Sequence, residues 1–171
     1  IYFDNAATTP LLPSAFARLT ELTQSMYGNS SSMHRMGRLS QEVLEQSQEA
    51  LGRHFDVPPS HIVFTSGGTE SNNLAIWGAL GGLTQAVQWL KAQANGKLIT
   101  STVEHAATTK VFEALECLGA NVGWIGVDRE GFLDLNQLED EMKERVRIVS
   151  FHHAQNEIGV VQDLAAVSVL V

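Results

Sequence analysis

The stretch Ile62–Glu70, which reads IVFTSGGTE, gives the first indication of the fold class. Its first four residues are apolar or β-branched, a composition that predicts a buried β-strand. Gly67 and Gly68 then mark a turn, and the residues from about Thr69 to Leu80 have the pattern of a helix. A buried strand that leads through a short turn into a helix is typical of α/β proteins with a mainly parallel sheet.

The same alternation of strand and helix continues outward from this stretch. Two helices are predicted before it, one over about 13–26 and one over about 35–54. After it the sequence predicts strands at Leu98–Ser101, Asn121–Val127 and Val146–Phe151, and helices at Gln85–Ala94, Ala106–Leu118, Leu135–Lys143 and 163–171. Crossover connections between such elements give a parallel sheet that is covered by helices on both faces.

The composition excludes several classes of protein. The 171 residues include 11 Lys and Arg against 19 Asp and Glu, a net charge of −8, so no basic surplus is available to bind nucleic acid. No run of about 18 apolar residues predicts a membrane span. The segment Ile1–Asp4 shows no basic region ahead of an apolar run, so no signal peptide is expected. The single cysteine, Cys117, cannot form an internal disulfide and suits a reducing, cytoplasmic compartment.

Residues 66–70 follow the first predicted strand, and ligands of open α/β sheets bind at the carboxyl ends of strands. Glycines allow close approach of a ligand, and free N–H groups at the start of a helix favour an anion. Two interpretations stay open: a phosphate cradle to which Thr69 adds a hydroxyl, or a tight turn capped by Thr69 or Ser71. The carboxylate of Glu70 opposes a phosphate unless it points away. No Gly-Lys-Ser/Thr follows, so this is not a Walker A loop.

Two further loops follow predicted strands. His105 could stack on a flat ring or move protons near neutral pH, or it could be a surface or capping histidine. The loop 152–159 is rich in hydrogen-bonding side chains, which is typical of binding loops. Its two histidines, His152 and His153, are adjacent and would point to opposite faces of a strand, so no metal site is expected.

The lysines and the cysteine are interpreted as structural. Cys117 lies in a helical segment without a nearby base and is predicted to be a small core residue. None of the four lysines lies in a strand-end loop, so all are predicted to be solvated surface residues: Lys91, Lys97, Lys110 and Lys143.

Taken together, five segments resemble the motifs of cysteine desulfurases, pyridoxal-phosphate enzymes of the class V aminotransferase group. They are Asp4–Pro10 (DNAATTP), Gly28–His34 (GNSSSMH), Phe64–Ala75 (FTSGGTESNNLA), Val103–His105 (VEH) and Gln155–Asp163 (QNEIGVVQD). Because the five occur in the family's order over essentially the whole chain, the resemblance is specific. Ser30 stands where proline is usual, and Gln155 stands where asparagine is usual.

The resemblance implies the cofactor pyridoxal 5'-phosphate (PLP) and the roles of four residues. Gly68 and Thr69 would hold the cofactor phosphate. His105 would stack on the pyridine ring and act as the catalytic proton relay. Asn156 would donate a hydrogen bond near the ring oxygen and the substrate carboxylate. Backbone and hydroxyl donors suit a phosphate, and an amide can donate to an oxygen.

The resemblance also implies a fold, a reaction and partners. The fold is PLP-dependent transferase fold type I, an α/β/α large domain with a mainly parallel sheet that is incomplete in this chain. The reaction takes sulfur from L-cysteine, leaving L-alanine and an enzyme persulfide, for iron–sulfur cluster or thio-cofactor synthesis. The implied partners are L-cysteine, a second copy in a homodimer, and a sulfur-acceptor or scaffold protein.

The organisation expected from the family is an N-terminal arm at 1–13 and a partial cofactor-binding large domain at 14–171. The chain stops before the family's positions for the Schiff-base lysine and the nucleophilic cysteine, so these 171 residues alone are expected to be inactive. Two alternatives stay open: a selenocysteine or cystine lyase on the same scaffold, and a non-catalytic truncated module.

Overall fold

A parallel sheet organises the C-terminal part of the chain in the computed structural model, which describes residues 1–91 and 96–171. Its strands are β1 (Lys97–Ser101), β2 (Val122–Ile125) and β3 (Val146–Ser150), in the order β2-β1-β3. Both pairings are parallel, with Leu98 opposite Val122 on one side and Ile148 on the other. The parallel sheet predicted from the alternation of elements is confirmed.

The helices match their predicted positions to within a few residues. They are α1 (Pro13–Ser25), α2 (Arg35–Phe55), α3 (Gly68–Ala79), α4 (Gly82–Lys91), α5 (Ala106–Cys117), α6 (Leu135–Glu141) and α7 (Leu164–Leu170), with a 3₁₀ turn at Pro59–His61. Residues 92–94 of the predicted helix Gln85–Ala94 lie outside the described residues. None of the helices within 1–91 and 96–171 is both long and apolar enough to cross a lipid bilayer.

The unit formed by residues 65–171 has a hydrophobic core on each face of its sheet. Alternate residues of a strand point to opposite faces, so Leu98 packs with Phe112 and Leu115 of α5, whereas Ile99 packs with Leu138 of α6. All five are fully buried, and each such side chain contributes about 1.5–3 kcal/mol on burial. The layers are therefore helix, sheet and helix, as predicted.

The unit formed by residues 1–64 contains α1, α2 and the 3₁₀ turn. The His34 imidazole caps α2 by accepting from the Gly37 N–H at 3.2 Å, and the helix ends at Phe55, before Asp56, whose φ is 54°. No residue of α1 is buried within this unit, and Phe16 and Leu19 are exposed. The assignment of residues 1–13 to a separate arm stays a prediction.

The predicted buried strand at Ile62–Thr65 is wrong. The backbone of Ile62 is extended, but no strand of the described chain pairs with this segment, and Val63 and Phe64 are exposed. The Ile62 carbonyl instead accepts from the Gln48 side-chain amide at 3.0 Å. The apolar, β-branched run therefore predicted an extended backbone, whereas a strand also requires a neighbouring strand to complete its hydrogen bonds.

Two structural interpretations of single residues are also wrong. Lys97 is not a solvated surface lysine, because its side chain is only 11% exposed and pairs with Glu141 and Glu144. Cys117 is exposed rather than in the core, because it lies off the buried face that α5 forms with Thr108, Phe112 and Leu115.

Candidate active site

The start of helix α3 presents unused hydrogen-bond donors. The backbone N–H groups of Gly68, Thr69 and Glu70 have no acceptor within the described chain, and Gly67, which precedes the helix, carries no side chain to cap them. The Ser71 hydroxyl donates to the Gly67 carbonyl at 3.2 Å and lies 2.7 Å from the Thr65 hydroxyl. The turn is therefore not capped by Thr69 or Ser71, and its donors are available to an anion.

Glu70 points away from these donors. Its Oε2 atom accepts from both the hydroxyl and the backbone N–H of Ser66, each at 2.6 Å. These two hydrogen bonds, that of the hydroxyl first, hold the pKa of the Glu70 carboxyl below its ordinary value of 4.5. The Glu70 carboxylate therefore does not oppose a phosphate at the start of α3, because Ser66 holds it away from the free N–H groups.

His105 caps helix α5. Its Nδ1 atom accepts a hydrogen bond from the Ala107 N–H at 3.0 Å, so the capping role considered from the sequence is present. In the neutral ring this bond leaves the proton on Nε2. The side chain is exposed, so a cap at Nδ1 is compatible with a second role for the ring face and Nε2.

Thr69 and His105 line one cleft between α3 and α5. A hydrogen bond of 3.1 Å from the Asn72 amide to the Thr108 hydroxyl joins the two helices just inside their first turns. The cleft has a volume of about 340 Å³ and is also lined by Asn73, Trp77, Ala106, Ala107, Lys110, Val111 and Ala114. The N-termini of both helices therefore border the same space.

Asn156 lines a second cleft, which shares His105 and Ala106 with the first. This cleft has a volume of about 310 Å³ and is completed by Val103, Glu104, Gln155 and Glu157. The Gln155 carbonyl accepts from the Gly159 N–H at 2.9 Å, and the φ of Gly159, 75°, suits a glycine. Of the four predicted cofactor residues, the structure thus brings Thr69, His105 and Asn156 to adjoining clefts and places Gly68 at the first position of α3.

Sequence reasoning missed Glu104. Its side chain is only 4% exposed, and Oε1 accepts from the Ser101 hydroxyl at 2.8 Å and from the His152 N–H at 2.9 Å. The Nδ1 atom of His152 lies 2.9 Å from the same oxygen. Its place in the sequence could have indicated it. Glu104 follows a predicted strand and precedes His105, and a carboxylate there can bond to the loop that follows the neighbouring parallel strand.

Gln162 is a second polar residue that sequence reasoning missed. Its buried amide accepts from the Leu133 N–H at 3.1 Å and donates to the Gly131 carbonyl at 2.9 Å. A Cβ atom on Gly131, whose φ is 93°, would lie 2.7 Å from Ile158 Cδ1. The turn that carries Asn156 therefore packs closely on this glycine.

The charged groups near the clefts do not form a metal site. Within 1–91 and 96–171, no three His, Cys, Asp or Glu side chains stand together as metal ligands would. Lys110 lines the first cleft, but its side chain is 73% exposed and its ammonium pairs with Glu113 at 2.6 Å.

Known proteins share both the sequence and the architecture of this chain. The family model described as aminotransferase class-V matches residues 1–171. The chain belongs to the class-V aminotransferase family. The resemblance drawn from the five motifs is therefore confirmed, and enzymes of this family depend in general on pyridoxal 5'-phosphate.

Relatives within the class-V aminotransferase family are named as desulfurases. The chain is 36% identical to the cysteine desulfurase IscS of Dictyoglomus turgidum, over 98% of this chain and 41% of that protein. It is 39% identical to the cysteine desulfurase IscS of Pseudoalteromonas translucida, over 98% of this chain and 40% of that protein. The chain thus spans about two-fifths of the length of these curated relatives.

Solved structures of similar proteins confirm the predicted fold. A NifS-like protein superposes with a TM-score of 0.89 at 29% identity, over 99% of this chain and 44% of that chain. A structure described as SspA in complex with cysteine superposes with a TM-score of 0.84 at 30% identity, over 99% of this chain and 46% of that one. The α/β/α layers of this class-V aminotransferase chain are therefore those of the larger enzymes.

Proposed function

We propose that this chain is the N-terminal, cofactor-binding part of a cysteine desulfurase. One observation carries the proposal: Thr69 and His105 line a single cleft, with the free N–H groups at the start of α3 beside it. An anionic group and a flat ring in one ligand are the features that such a cleft recognises. Family membership makes pyridoxal 5'-phosphate the ligand to test.

The donors at the start of α3 fit the cofactor phosphate. Apart from the adjacent residues and the backbone of α3 itself, nothing in the described chain lies within 4 Å of the position that a Cβ atom would take on Gly67 or Gly68, so the space beside this backbone is open. Three N–H groups and the Thr69 hydroxyl can donate into it, and the positive end of the helix dipole favours a phosphate there. We assign phosphate binding to Gly68 and Thr69.

His105 and Asn156 are assigned to the rest of the cofactor and to the substrate. The imidazole plane of His105 can stack on the pyridine ring, and its Nε2 atom can hold or move a proton while Nδ1 keeps the α5 cap. The Asn156 amide can donate to the ring oxygen and to the substrate carboxylate. When bound, the cofactor supplies an electron sink for the substrate carbanion.

The proposed reaction moves one sulfur atom. The Cβ–Sγ bond of L-cysteine breaks, the sulfur joins an acceptor thiol as a persulfide, and a proton takes its place on Cβ, which gives L-alanine. Cys117 is not the acceptor, because it lies at the far end of α5, about 18 Å from His105 at 1.5 Å per residue. The proposal also includes a homodimer, a sulfur-acceptor or scaffold protein, and a cytoplasmic location.

The direct test uses the natural protein that carries these residues, purified with pyridoxal 5'-phosphate. We expect L-cysteine to yield equal amounts of alanine and of sulfur released by a reductant. Parallel assays with selenocysteine and with cystine distinguish a selenocysteine lyase or a cystine lyase from a desulfurase. A protein that binds the cofactor but forms neither alanine from cysteine or selenocysteine nor pyruvate from cystine would contradict the proposal and favour a non-catalytic module.

We expect the 171-residue chain alone to form no alanine from cysteine. Lys97 is paired at the amino end of β1, the opposite end from His105, while Lys110 and Lys143 are exposed and paired with acidic neighbours. Borohydride reduction with the cofactor, followed by peptide mapping, tests every lysine, including Lys91. A single stoichiometric adduct together with alanine production would overturn this expectation.

A further inference from the structure

We propose that Glu104 is a positioning residue that holds the loop carrying Asn156 against the loop carrying His105. The two are the β1–α5 loop, residues 102–105, and the β3–α7 loop, residues 151–163. The catalytic part of the proposal rests on the function proposed above, whereas its structural part does not.

The Glu104 carboxylate is buried, so the groups that surround it hold it in place. The side chain is 4% exposed, and Oε1 accepts from the Ser101 hydroxyl at 2.8 Å, which anchors it to the end of β1. The same oxygen accepts from the His152 N–H at 2.9 Å, which anchors the first turn after β3. Separating the two loops would cost this buried carboxylate one of its donors, so the two hydrogen bonds favour the arrangement in which the loops stay together.

The hydrogen bond between Glu104 and His152 affects Asn156 because His152 directly precedes a hairpin, residues 153–162, that contains Asn156. The Gln155 N–H donates to the Val160 carbonyl at 2.8 Å, and the Gln162 N–H donates to the His153 carbonyl at 2.8 Å. These bonds make residues 153–162 one rigid turn with Asn156 near its tip. Fixing His152 therefore fixes the direction in which this turn leaves the sheet.

Glu104 also orients the His152 ring. Nδ1 lies 2.9 Å from Oε1 and donates to it when the ring carries its proton there, while Nε2 is buried without a partner among the described residues. Carboxylates commonly fix the tautomer and the plane of a neighbouring imidazole in this way. The result is a buried joint between His152 and Glu104, and Glu104 also lines the cleft that His105 and Asn156 line.

Hydrogen exchange of the cofactor-free natural protein tests the joint directly. In Glu104→Leu we expect the amides of His152, Gln155 and Gly159 to exchange about tenfold faster or more, because the buried acceptor of the His152 N–H is lost. Glu104→Gln keeps an acceptor oxygen and should exchange nearly as the wild type does. The control is Glu139→Gln, which removes an exposed carboxylate from α6. Unchanged exchange in Glu104→Leu, or equal loosening in Glu104→Gln, would overturn the proposal.

A double-mutant cycle tests whether the joint acts through Asn156. We expect kcat to fall about tenfold or more in Glu104→Leu. The dissociation constant of pyridoxal 5'-phosphate should change less than about threefold, since Gly68 and Thr69, which are assigned to its phosphate, form no hydrogen bond with Glu104. In the background of Asn156→Ala, the same replacement should cost little more. Additive losses would mean that Glu104 serves stability alone and would contradict the positioning role.

The hydrogen-exchange and kinetic experiments distinguish failure of this proposal from failure of the proposed function. If the natural protein turns over no cysteine, the desulfurase assignment fails, while the exchange measurement still decides whether Glu104 holds the loop. If turnover is normal and Glu104→Leu affects neither exchange nor kcat, only the positioning role fails.

Discussion

Glu70 folds back on Ser66, and both hydrogen bonds end on the same carboxylate oxygen, each at 2.6 Å. The contact links the turn before α3 to the first turn of that helix. It keeps the one acidic side chain of the first turn away from the open N–H groups of Gly68 and Thr69. A sequence that places Glu70 beside Thr69 is therefore compatible with an anion at the start of this helix.

We expect Thr69→Ala to weaken binding of pyridoxal 5'-phosphate to the natural protein by roughly ten- to hundredfold. A hydroxyl that donates to a charged phosphate contributes about 1.5–3 kcal/mol. Thr69→Ser keeps the hydroxyl and is the matched control. Fluorescence titration with the cofactor measures the change, and an unchanged dissociation constant in Thr69→Ala would remove Thr69 from the phosphate site.

The Glu70 contact predicts a pH dependence. The Ser66 hydrogen bonds lower the pKa of Glu70 from 4.5, so the ionised carboxylate is favoured in the folded chain. Their contribution is complete above pH 4.5 and is lost as the pH falls through the lowered pKa. We expect the side-chain carboxyl resonance of Glu70 to titrate below 4.5 in an NMR experiment, and Ser66→Ala to move the midpoint back towards 4.5. A midpoint at or above 4.5 in the wild type would contradict the contact.

Lys97 is expected to stabilise the fold. Replacing it by Met leaves the partly buried Glu141 carboxylate without its cation, which costs about 3 kcal/mol in free energy of unfolding. The pair with Glu144 adds little, because Glu144 is exposed. The control Lys143→Met removes an exposed pair and should change the free energy of unfolding far less, because solvent screens that pair. Urea unfolding near neutral pH measures both.

The pH dependence of the Lys97 contribution follows from its pKa. The hydrogen bond that Lys97 donates to Glu141 is the largest cause that raises this pKa above 10.5. The stabilisation is therefore complete below pH 10.5 and is lost only as the pH rises through the raised value. If Lys97→Met unfolds at the same urea concentration as Lys143→Met, the ion pair does not stabilise the fold.

Local sequence patterns predicted the helices, three strands and the strand-end loops that carry His105 and Asn156, because periodicity and strand-end position act over a few residues. The roles of the residues in these loops stay predictions. The patterns failed where the outcome depends on distant neighbours. Ile62–Thr65 has the composition of a strand but no neighbour to pair with in the described chain. Lys97 is paired because α6 brings Glu141 beside it, more than forty positions along the chain. Glu104 is buried because the β3–α7 loop closes over it.

Three proposed roles of His105 can be separated by substitution. The ring plane supports stacking, Nε2 supports proton transfer, and Nδ1 caps α5 by accepting from the Ala107 N–H at 3.0 Å. Stacking contributes about 0.5–1.5 kcal/mol beyond burial, a cap contributes about 1 kcal/mol, and a proton relay contributes about 10²–10⁴-fold in rate. The variants His105→Phe, His105→Asn and His105→Ala each remove a different combination of these.

His105→Phe keeps the plane but removes the cap and the proton chemistry. We expect yellow, cofactor-bound protein that has lost most of its turnover and about 1 kcal/mol of stability. His105→Asn keeps an acceptor for the Ala107 N–H, so it should recover the stability while losing both turnover and part of the cofactor. His105→Ala should lose all three. Thermal unfolding, cofactor absorbance and alanine production measure the roles separately. Nearly wild-type turnover in His105→Phe would show that the ring serves only as a stacking surface, because the larger effect belongs to proton transfer and Phe has no nitrogen to perform it.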